Sequence, residues 1–238
     1  MKPDRLFYSA AGAVFLVVIV LGFQHYIFGG KHPDGSPISP SMLAIVVIHS
    51  SAIFAWFLLF FVQALLISMK NRRVHMKLGW SVLVIASTVA VTGPMVATMS
   101  LRTDPTQVVF DWASRPFLLI MYSEIALYVA FVTIGVLNRK RPRIHRPMML
   151  MASLVILTGA TGRVPLINSI FGMHHWMGIF GPVIALGALL FVVRLALTRT
   201  VDREFATAFG VLVVATVLAA GMAETSVWVN LAGTILKH

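Results

Sequence analysis

Arg73-Val74-His75 and Arg143-Ile144-His145 carry the residue types best suited to chemistry in this chain. Each triplet places a histidine in a basic turn, just ahead of a long apolar run. The two histidines are 70 residues apart, as if one helical hairpin had been copied. Two imidazoles at one depth of a helix bundle can serve as axial ligands of a b-type haem. Arg or Lys at the membrane edge would neutralise its propionates. The expected ligands are His75 and His145, with Arg73 and Arg143 as propionate partners and Arg72 and Arg146 beside them. The alternative is that these histidines are only polar contacts to lipid headgroups.

A second set of ionisable groups falls inside or beside apolar runs: His49, Glu124, Arg163 and Glu224, with His25, His174 and His175 near the same end. Such groups cost several kcal/mol in a bilayer unless paired. His49 and Glu124 are each expected about 12 Å deep, at roughly 1.5 Å per helical residue, and Glu224 about 10 Å deep. His49, Trp56 and Gln63 recur every seven residues and so share a helical stripe. One reading joins His49, Glu124 and His174 or His175 around zinc or iron, which accept imidazole and carboxylate together. The other pairs Glu124 or Glu224 with Arg163 and gives His49 a hydroxyl partner such as Ser50 or Thr98. No compact H-E-x-x-H motif is present, and adjacent His174 and His175 cannot both point the same way on a helix. A second haem on His49 lacks an opposing histidine in the fourth span, where only Glu124 stands. The chain has no cysteine, which excludes thiolate metal sites, Cys-ligated haem and disulfides. The seventh span has no lysine within it, so a retinal Schiff base has no amine. The 13 methionines read as core filler.

The elements that must hold these residues are membrane helices. Hydrophobic residues make up 58% of the chain and charged residues 11%, with mean hydropathy +0.89. A soluble domain carries about 25% charged residues, so too little polar surface is present to coat a water-facing globule. A bilayer span takes about 20 apolar residues, and seven segments qualify: roughly 7–28, 41–69, 76–100, 116–137, 147–166, 176–198 and 205–232. An all-α, seven-helix polytopic bundle forming a single domain over 1–238 is expected. The first apolar run is too long for a signal-peptide core and reads as an uncleaved helix. Net charge is +11, but the lysines and arginines cluster in alternate turns, at 70–77, 138–146 and 199–204. That is the positive-inside pattern rather than a nucleic-acid face; it puts the N-terminus in the cytoplasm and the C-terminus outside. Residues 101–116, with Val108-Val109-Phe110-Asp111-Trp112, would lie along the outer interface. Thr92-Gly93-Pro94 should kink the third span, and Thr158, Gly159, Thr161 and Gly162 should allow close packing of the fifth.

The run Ile48-His49, Trp56, Phe61-Val62-Gln63 and His75-x-x-x-Gly79, followed by Arg141-Pro142-x-x-His145-x-x-Met148-Met149, resembles a family of small bacterial polytopic membrane proteins of unassigned role. The likeness covers nearly the whole chain and maps His49, Gln63, His75, His145 and Arg163 onto recurring polar positions. A looser, topological likeness is to the two-haem cytochrome b superfamily, in which His75 and His145 would match a ligand pair. These resemblances imply a multi-pass protein of the bacterial inner membrane that binds haem b and transfers electrons. Its partners would be membrane lipid and either a quinone or other membrane-protein subunits. The rival readings are a non-catalytic accessory or assembly subunit of a larger complex, and a metal-dependent membrane enzyme using the outer His/Glu site.

Overall fold

A computed structural model of the chain describes residues 3–31, 37–172 and 174–237. Helices α1 (Pro3–Gly29) and α2 (Pro40–Ser68) form the first antiparallel pair. The third passage is built from α3 (Arg72–Leu78) and α4 (Ser81–Thr103), interrupted at Gly79-Trp80. A short hairpin, β1 (Val108–Val109) with β2 (Trp112–Ala113), leads into α5 (Ser114–Leu137). There follow α6 (Pro142–Ile156), α7 (Thr158–Thr161), α8 (Pro165–Phe171), α9 (His175–Thr198), α10 (Arg203–Ala223) and α11 (Ser226–Lys237). Seven passages are long and apolar enough to cross a membrane. Their outward faces carry bare aliphatic side chains, among them Val84, Val91, Leu189 and Val214. Water would not tolerate so continuous an apolar belt. The chain is therefore a multi-pass integral membrane protein with an all-α fold.

The turns that carry most of the arginines lie at one end of the bundle, called the basic end below. Local chemistry sets each of them. Lys70 follows α2 in the left-handed region (φ 63°), and Asn71 then caps α3 by accepting the Val74 N–H at 3.2 Å. Pro142 opens α6 in the first turn, where its missing N–H costs nothing. Arg199 ends α9 at φ 55°, and Asp202 caps α10 by accepting the Phe205 N–H at 3.1 Å.

The fifth passage, α6 with α7, is the centre of the fold. It is 72% buried within protein, against 28–44% for the other six, and packs on α5, α10, α9 and α1. Leu150, Met151, Ala152, Leu154, Val155 and Leu157 are fully buried. It runs from 142 to 161 rather than the expected 147–166, because proteins rather than lipids surround it and Ser153, Thr158 and Thr161 are tolerated there.

The last passage also differs from expectation. It stops at Ala223 instead of continuing to 232, and α11 turns back across the far end of the bundle. Ala232 and Gly233 of α11 pack with Leu101 of α4 and Leu118 of α5, and Arg102 donates to the Ile235 carbonyl at 2.6 Å. Glu224 explains the break. It stands just beyond α10 with its side chain 65% exposed, so it is not a buried carboxylate.

Candidate functional site

Polar side chains inside the bundle collect at three levels along α2: Gln63 near the basic end, Trp56 in the middle and His49 toward the far end. Seven residues, about 10.5 Å of helix, separate successive levels.

The basic-end level contains both expected haem ligands. His75 lies on α3, which folds back against α2; its Nδ1 is 3.3 Å from the backbone carbonyl of Gln63. His145 lies in the first turns of α6, and its Nδ1 is 2.8 Å from the carbonyl of Gly135 on α5. A carbonyl can only accept, so in both rings Nδ1 must carry the proton. Nε2 is then the bare lone pair of a neutral imidazole, the nitrogen available to a metal. Neither Nε2 has a protein partner among the described residues. The two rings lie within electrostatic range of each other. Both hairpins thus use one device: the histidine after the basic turn hangs from a carbonyl of the preceding helix.

The arginines beside this pair are only partly those expected. Arg72 and Arg146 act electrostatically on His75, and Arg146 also acts on His145. Arg73 and Arg143, the expected propionate partners, act on neither. Helical periodicity is the reason: Arg72 precedes His75 by three residues and shares its face, whereas Arg73 and Arg143 precede their histidines by two. Arg143 instead lines an open recess with Arg141, Pro142, Ile144 and Glu204.

Gln63 completes this level. Both its amide nitrogen and its amide oxygen are buried without a hydrogen-bond partner. Gly79, one helical turn beyond His75, faces it; a Cβ there would lie 3.6 Å from Gln63 Nε2.

At the middle level Trp56 donates to Ser153 Oγ at 3.1 Å and meets Tyr128 edge-on, with ring centroids 4.9 Å apart. All three side chains are buried, and the Tyr128 hydroxyl has no partner.

The residues expected around an outer metal divide among separate contacts. His49 bonds Thr92 at 2.8 Å, neither Ser50 nor Thr98; Thr92 donates to the Thr88 carbonyl, so it accepts from His49 Nδ1. Glu124 hydrogen-bonds Thr158, with the Arg163 charge nearby. Arg163 donates to the Gly159 carbonyl and lies over the rings of Phe23 and Tyr26, at 5.0 and 5.9 Å. His174 is 82% exposed and pairs with Asp111, while His175 lies 3.8 Å from Glu224 and edge-on to Trp112. Among the described residues no three His, Asp or Glu side chains converge on a metal position. Histidines 174 and 175 are held at the bundle end by the β hairpin, away from the helix faces that carry His49 and Glu124.

That hairpin replaces the expected interfacial segment. Phe110 and Asp111 form its tip at φ 52° and 63°, both central residues left-handed as in a tight hairpin turn. Phe110 fills the space left by Gly162, where a Cβ would lie 2.6 Å from its ring, and its carbonyl accepts the His175 N–H at 2.7 Å. The alternation Val-Val-Phe-Asp-Trp-Ala was the available sign of paired strands.

No protein-family model, curated protein or solved structure matches this chain. The candidate site rests on side-chain geometry.

Proposed function

We propose that the protein is a b-type haem protein of the bacterial inner membrane that passes electrons at the level of its basic end. The observation behind this reading is the matched anchoring of His75 and His145. Each Nδ1 is committed to a backbone carbonyl, which orients the ring and reserves Nε2 for a ligand. The unpartnered Gln63 amide supports it further, because buried polar groups are almost always satisfied and lipid can supply no partner. The donor set suits iron in a macrocycle better than a bare ion, since imidazoles are the only protein donors offered.

His75 and His145 would hold the haem from α3 and α6, with Arg72 and Arg146 offsetting the negative charge of its propionates. When bound, the haem supplies one-electron chemistry, and the protein tunes its potential through ligands, charge and burial. The carbonyls of Gln63 and Gly135 keep both rings in one tautomer. The surrounding apolar helices keep bulk water from the iron. The cytoplasm faces the basic end in this reading, and a quinone or another membrane subunit exchanges the electron.

A reduced-minus-oxidised spectrum of the purified protein tests the proposal directly. Bis-histidine b-type bands are expected in the wild type and should be lost in His75→Ala and in His145→Ala. A wild-type protein without those bands, and without haem by pyridine assay, discards the reading.

A further inference from the structure

We propose that Gln63 is a third protein group on the ligand of the His75/His145 site, donating a hydrogen bond from its side-chain amide to a carboxylate of that ligand. The inference rests on the haem reading and deepens it. A glutamine amide offers two N–H donors and a carbonyl acceptor. Here the nitrogen and the oxygen are both shut away from solvent, and neither meets any protein group. Leaving such a group unpaired costs about 1–3 kcal/mol at each unsatisfied atom. An apolar residue at this lipid-depth position would avoid that cost, so the amide belongs to something that binds there.

Its position identifies the ligand chemistry. The backbone carbonyl of Gln63 holds His75 Nδ1, so the amide and the imidazole are tied to one residue. Gly79 faces the amide without a side chain of its own. Arg72 and Arg146 act on the same imidazole, and no carboxylate is among the charges acting on it. A site with two cations, a neutral donor and no acidic side chain suits an anion. The carboxylates of haem supply that charge, so Gln63 should be a positioning residue for one propionate. Donation from the amide offsets part of the carboxylate charge and thereby favours the reduced haem.

The test is potentiometric titration of haem-loaded wild type, Gln63→Met and Gln63→Glu, with Asn230→Ala on α11 as a distant control. Both Gln63 variants remove the donor and should lower the midpoint potential. A drop of about 59 mV corresponds to a tenfold change in the one-electron equilibrium constant. The bis-histidine absorption and electron paramagnetic resonance signals should persist, because the axial ligands are untouched. An unchanged midpoint in a Gln63 variant that keeps those signals overturns the proposal. Should Gln63→Met fail to fold, Gln63→Glu, which is isosteric, decides it. Wild type without haem bands is a separate result, read before any titration, and it removes the function and this inference together.

Discussion

Two imidazoles and one amide are the side chains on which the functional reading turns, and each matters through what it leaves unbonded. His75 and His145 commit one nitrogen to a carbonyl and keep the other free; Gln63 commits neither end of its amide. The arginines sort by the same criterion of what they face. Arg72→Gln and Arg146→Gln should lower the haem midpoint or speed haem loss, whereas Arg73→Gln and Arg143→Gln should leave both nearly unchanged. Equal effects from all four would contradict the assignment of helix faces. The histidines were legible in the sequence because a basic turn ahead of an apolar run is visible in any single chain. The choice between Arg72 and Arg73 was not, since it depends on where α3 begins. Asn71 caps that helix and places Arg72, three residues before His75, on the histidine face.

The helices show where packing tolerates no change. Gly22 of α1 passes so close to α7 that a Cβ would lie 2.4 Å from the Ala160 carbonyl oxygen and 2.8 Å from its Cα. Both obstacles are backbone and cannot rotate away. Gly22→Ala should therefore cost about 1–3 kcal/mol through overpacking, measured as a lower midpoint of thermal unfolding in detergent; an unchanged midpoint would mean that α1 stands off from α7. Arg194 makes the other tie. It turns into the bundle instead of reaching toward the headgroups, pairs with Asp202 at 2.7 Å and lies over the rings of Phe7 and Tyr8. Arg and Asp are only 13% and 15% exposed, so the pair links α9, the α10 cap and α1 inside protein. Arg194→Met leaves a buried carboxylate without its partner and should cost about 3–5 kcal/mol, read by the same melting experiment. A sequence position near a span's end suggested snorkelling; only the partner's location turns the side chain inward.

For the molecule as a whole, the alternation of basic and balanced turns predicts a cytoplasmic basic end. The chain lacks cysteine, so single cysteines report its orientation without background. Thr106→Cys and Lys140→Cys both fall on exposed loop residues at opposite ends of the bundle. An impermeant maleimide added to intact cells should label Thr106→Cys at once and Lys140→Cys only after the membrane is opened. The reverse pattern would invert the topology and move the haem site to the other side.

Composition and hydropathy by themselves determined that this chain is a seven-passage membrane bundle, because lipid solvation acts on each segment separately and demands only length and apolarity. They also marked the residues worth asking about, since polar groups are conspicuous in an apolar chain. Tertiary structure alone decided which of those residues meet. The fifth passage looked marginal because its neighbours, not lipid, solvate its hydroxyls, and that surrounding exists only once the bundle has packed. His174 and His175 separate from His49 and Glu124 because a two-residue hairpin tip holds them at the far end. Burial of Gln63 likewise depends on α3 folding back over α2, a contact between segments that no single segment encodes.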